Sequence, residues 1–65
     1  MRPLTARQQE AFNDGYDYGR FSGYPPSTTT LKNYYGKNYI YGLEGSRVGL
    51  IERKEAFLLA LLEGK

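Results

Sequence analysis

Few side chains in this 65-residue chain could do acid–base or metal chemistry. Asp14 and Asp17 stand at i, i+3, a spacing that puts two carboxylates on one helix face, where they could in principle hold a cation or share a proton. On an exposed face such a pair is ordinarily solvated. Histidine and cysteine are absent, which removes thiol chemistry, disulfides, the usual zinc ligands and the commonest general base. The glycines do not form a strand-loop-helix phosphate cradle, and no Gly-Lys-Ser/Thr follows any of them. The expectation is a binding protein with no catalytic residues, no cofactor and no metal.

What remains is aromatic and basic surface. Seven tyrosines and no tryptophan supply flat faces with polar tips. Tyr34, Lys37 and Tyr41 recur at i, i+3 and i+7, an outward ridge of one helix, with Ile40 and Glu44 beside it and Lys32 and Arg47 nearby. With Arg20 they form a candidate surface for nucleic acid or another partner: Arg20, Lys32, Tyr34, Lys37, Tyr41 and Arg47. Tyrosines would stack on bases and cations would neutralise phosphates. The same residues also suit a protein–protein patch or a plain solvated face. A net charge of +2 is too small for a long nucleic-acid tract and leaves only a short or structured target.

Three elements must position these residues. Thr5-Ala6-Arg7-Gln8 reads as a capping box and starts a helix over about 5–23. Its apolar stripe is glycine-rich, with Gly15, Gly19 and Gly23 in line with Ala11, Phe12 and Tyr16. Each interior glycine costs a helix roughly 1 kcal/mol against alanine, so the stripe points to a second backbone lying close by. Tyr24-Pro25-Pro26 and the following Ser and Thr residues form a link, because proline lacks the amide a helix needs. A threonine then caps a second helix over about 31–46, with Leu31, Tyr35, Tyr39, Gly42 and Ser46 inward. Gly45 and Gly49 bracket a break, and a third helix spans about 50–63. Leu50, Ile51, Phe57, Leu58, Leu61 and Leu62 share one of its faces, with Lys54 in the middle.

The tetrad Tyr16-Asp17-Tyr18-Gly19 is echoed by Tyr39-Ile40-Tyr41-Gly42, which suggests two similar helices packed through glycine. The expected fold is therefore all-α: two glycine-packed antiparallel helices joined by a proline-containing link, plus a C-terminal amphipathic helix, in one small domain. A chain this short buries little apolar surface, so a homo-oligomer joined through Leu50, Phe57, Leu58 and Leu61 is the expected source of further stability. Met1-Arg2-Pro3-Leu4 leads into a polar stretch, and no run reaches membrane-spanning length, so the expectation is a cytoplasmic protein without a membrane partner.

The span from Gly15 to Ser46 resembles the ribosome modulation factor family, small bacterial proteins that pair ribosomes into an inactive state. Gly15-Tyr16-Asp17-Tyr18-Gly19 is similar to the family's first-helix motif, Tyr24-Pro25-Pro26 stands at its link, and Tyr39-Ile40-Tyr41-Gly42-Leu43-Glu44-Gly45 is similar to its second-helix motif. Gly23 falls one residue later than the family's third glycine, tyrosine and leucine stand where tryptophans are usual, and the third helix is additional. The resemblance implies a non-enzymatic protein that contacts the ribosome or structured RNA. An inhibitor or adaptor docking on a host protein, phage- or mobile-element-encoded, suits the same small size and tyrosine-rich surface.

Overall fold

The computed structural model describes residues 3–24 and 26–64. Pro25 falls outside them, and with it the middle of the expected link; so do Met1 and Arg2. Among the described residues the secondary structure is entirely helical. Helix α1 spans Ala6–Asp17 and runs directly into a π-helical turn, Tyr18–Ser22. Its start is the capping box: the Thr5 hydroxyl accepts from the Gln8 backbone N–H at 3.2 Å, and the Gln8 side-chain Oε1 accepts from the Thr5 backbone N–H at 3.0 Å. At the other end Gly23 adopts φ +84°, which a side chain would disfavour, and its N–H reaches back to Tyr18 O at 3.2 Å.

Helix α2 is short, Thr28–Tyr35, and its cap is Ser27 rather than a threonine, the Ser27 hydroxyl accepting from Thr30 N at 3.4 Å. Gly36 ends it with φ +60° and ψ −129°, a conformation essentially reserved for glycine. A 3-10 turn, Gly36–Asn38, then leads into α3, Tyr39–Glu63. The expected single helix over 31–46 is thus divided at Gly36. Conversely, the break expected between Gly45 and Gly49 does not occur. α3 passes straight through both glycines for 25 residues, about 37 Å at 1.5 Å per residue.

The glycines read as a break instead face α1. A Cβ on Gly45 would overlap the Phe12 carbonyl oxygen, and one on Gly49 would overlap Tyr16 O and stand 2.6 Å from Arg20 N. From the α1 side, a Cβ on Gly15 would run into the Gly42 backbone, and one on Gly19 into that of Ser46. Neighbours rise together along both helices: Phe12 meets Gly45, Tyr16 meets Gly49, and Gly23 meets Arg53. α1 and α3 therefore run in the same direction, which corrects the antiparallel expectation. The reason is α2. It carries the chain back to the first turn of α1, where Tyr34 O accepts from the Arg7 guanidinium at 2.6 Å, and α3 sets out again from there.

The core is small and lies where α2 covers the pair. Ala11, Leu31 and Tyr35 are buried, with Tyr39, Tyr41 and Leu43 packed against them. Ser46 is also buried, its hydroxyl donating to Leu43 O at 2.8 Å. Past Arg53, α3 continues without α1 beside it, and its large apolar side chains stand in the open.

Candidate binding surface

α2 and the turn after it carry the densest aromatic and basic surface. The Arg7 guanidinium lies 5.0 Å from the Tyr34 ring centroid and 4.5 Å from that of Tyr35, and the two rings meet edge to face at 4.8 Å. One helical turn away, Lys32 Nζ stands 4.9 Å from the Tyr39 centroid. Lys37 is exposed in the 3-10 turn that joins Tyr35 to Tyr39. Tyr34 is 63% exposed, so its outer face is free to stack while Arg7 holds it in place. Arg7 also pairs with Glu10 at 3.1 Å, which keeps part of its charge engaged.

Tyr35 anchors this surface. Its hydroxyl donates to the Asp14 carboxylate, and burial together with that hydrogen bond holds its proton well above the ordinary tyrosine range. Tyr16 is held similarly, chiefly by its hydrogen bond to Glu52, which ties α1 to α3. Neither phenol is poised to act as a nucleophile or base. Asp14 is taken up by Tyr35, while Asp17 lines a shallow concavity with Tyr18, Phe21 and Ser22. Among the described residues no cluster of acids offers a metal site.

The six residues singled out from sequence do not form one surface. Lys32 and Tyr34 both belong to α2 but, two residues apart, point to different sides of it, Lys32 toward Tyr39 and Tyr34 toward Arg7, and Lys37 is in the turn that follows. Tyr41 is half-buried against the core. The i, i+3, i+7 ridge does not exist as such, because Gly36 separates Tyr34 on α2 from Tyr41 on α3. Arg47 is exposed on α3 beside Glu44, at 4.0 Å. Arg20 sits on the π-turn, its guanidinium 5.6 Å from the Phe21 ring centroid. Gly49, its neighbour on α3, is ten residues beyond Tyr39, about 15 Å along the helix.

Two contributors escaped the sequence reading. Arg7 belongs to the surface only because α2 returns to it, 27 residues later in the chain. Arg53 donates to the Arg20 and Phe21 carbonyls at 3.2 Å each and so satisfies the open end of the π-turn with a cation, as a helix C-terminus favours. No local pattern marks either contact. Among the described residues, no helix is long and apolar enough to cross a membrane. Comparison with protein-family models, curated proteins and solved structures finds no match to the chain. What the structure defines is a small all-helical chain with an aromatic and basic surface at one end and a bare apolar helix at the other.

Proposed function

We propose that this chain is a non-enzymatic binding protein that holds structured RNA, such as that exposed on a ribosome, as its resemblance to ribosome modulation factors implies. The observation that supports the reading is the pair of cation–aromatic groups that α2 brings about, Arg7 with Tyr34 and Lys32 with Tyr39, with the exposed Lys37 in the turn between Tyr34 and Tyr39 in the chain. Arg7, Lys32 and Lys37, on or beside α2 and its turn, offer charge for a few phosphates of a folded backbone that wraps this end, and the open face of Tyr34 offers a stacking platform for an unpaired base. The parallel pairing of α1 and α3 serves as the scaffold that α2 leans on. Arg20 and Arg47 lie outside this footprint and contribute long-range attraction at most.

Ribosome co-sedimentation and fluorescence titration with a structured ribosomal RNA fragment test the proposal. About three neutralised phosphates give a log–log salt slope of roughly −2 to −3. Lys37→Glu should weaken binding and flatten that slope by about one. Tyr34→Ala should weaken binding at every salt concentration and leave the slope unchanged, because it removes stacking and no charge. Affinity indifferent to salt and to both substitutions would overturn the reading. Recovery of one protein and no ribosomal component from nuclease-treated lysate would favour the adaptor reading instead.

A further inference from the structure

The side of α3 that α2 covers near Leu43 does not end where α2 ends. Leu43, Leu50, Phe57 and Leu61 recur at helical spacing, so the same side continues for five further turns, with Lys54 between the last two leucines and Leu58 beside them. α1 behaves alike: Asp14 meets α2 through Tyr35, and Tyr18 and Phe21 follow on that side, beyond its reach. Eight residues of α2 span about 12 Å and cover only the first half of this surface. Tyr18 is 45% exposed, Phe21 70%, Phe57 65%, Leu58 50% and Leu61 56%.

We propose that a second copy of this chain covers this bare surface, the two α3 ends lying antiparallel about a twofold axis near Phe57 and Leu58. The area argues for a partner of that size. A compact monomer of 7.4 kDa exposes about 4,200 Å², whereas this chain exposes 5059 Å². The surplus of about 850 Å² is close to the share, about 800 Å², that each partner gives to a stable interface. Symmetry argues for a second copy, because a twofold pairing needs a surface that complements itself. With Phe57 of one chain against Leu58 of the other, the tip of each α3 reaches past Arg53 of its mate. There Leu61 and Leu62 seat on the concavity of about 310 Å³ that Asp17, Tyr18, Phe21 and Ser22 line. The charge decides the direction. A parallel pair would set Lys54 against Lys54 inside the seam, while the antiparallel pair separates them by seven residues, about 10 Å, and lets each amine reach solvent.

This pairing is independent of the RNA reading, whose residues lie at the opposite end of α3. Sedimentation equilibrium at roughly 100 µM, far above a micromolar Kd, should return a dimer whose Tm rises with concentration. Because the chain has no cysteine, Lys54→Cys and Leu61→Cys chains can be mixed and oxidised. Covalent dimers should form between unlike chains and far less within either kind alone. Phe57→Glu with Leu58→Glu should give a monomer that keeps the near-ultraviolet tyrosine signal of the α2 end. A monomeric native chain at that concentration, or crosslinking chiefly between like chains, would overturn the proposal.

Discussion

The two halves of α3 use the same helix in opposite ways. From Tyr39 to Gly49 it is covered on two sides, by α1 through glycine and by α2 through Leu31 and Tyr35. From Lys54 to Glu63 it is exposed nearly all round, although this is its more apolar stretch. Hydrophobicity therefore does not rank these segments by burial. The first half trades side-chain bulk for backbone proximity, gaining dispersion contacts between closely set helices. The second half leaves its leucines and phenylalanine in the open, the surface proposed above for a second copy of the chain.

The comparison is broken most severely at the glycines. Gly19→Leu would drive a side chain through the Ser46 carbonyl and the Leu50 amide, and the helix pair should come apart, a loss above about 3 kcal/mol that leaves so small a chain largely unfolded by circular dichroism. Gly42→Ala provides the contrast. Its Cβ meets the Leu31 side-chain tips at 3.0 and 3.1 Å, groups that can shift, so the helix-propensity gain offsets the crowding and Tm should move by a few degrees at most. Next in size is Leu31→Ala, which empties the centre of the covered half and should cost about 2–4 kcal/mol by urea denaturation.

Tyr35→Phe should cost about 1 kcal/mol, since it strands the Asp14 carboxylate without its donor but leaves the ring in place. It also carries a pH signature. The folded state holds the Tyr35 proton above the ordinary value near 10, so the native chain binds more protons than the unfolded one once pH exceeds that value. Stability from this group is fully present below pH 10 and declines as pH rises beyond it. In Tyr35→Phe, alkaline urea midpoints should fall less steeply than in the parent chain. The smallest effect belongs to the bare half: Leu59→Gln, on an exposed site away from the apolar seam, should change stability by less than about 0.5 kcal/mol.

Helix identity was legible in the sequence because its signals are local. Thr5 and Gln8 cap α1 through groups three residues apart, and the repeat of Ala11, Gly15 and Gly19 marks one face whatever lies against it. Glycine was ambiguous for a physical reason. A helical glycine and a helix-breaking glycine have the same cost in isolation, and only a neighbouring backbone distinguishes Gly45 and Gly49, which face Phe12 and Tyr16, from Gly36, which faces nothing and turns the chain. The candidate surface was half legible. Lys32, Tyr34 and Lys37 keep to α2 and its turn because few residues separate them, whereas the outward place of Tyr41 holds only for one unbroken helix, which Gly36 divides.

From its own residues, then, the chain determined that it would be helical, where its first helix would begin, which stripe would be bare of side chains and which end would be the more apolar. Each of these depends on groups within a turn or two of one another. Tertiary structure alone decided that α1 and α3 run in the same direction, that α3 is continuous, that Arg7 joins Tyr34 and that Arg53 closes the π-turn. These depend on α2 doubling back, and the free energy of such a return lies in contacts some 30 residues apart, which no local pattern encodes.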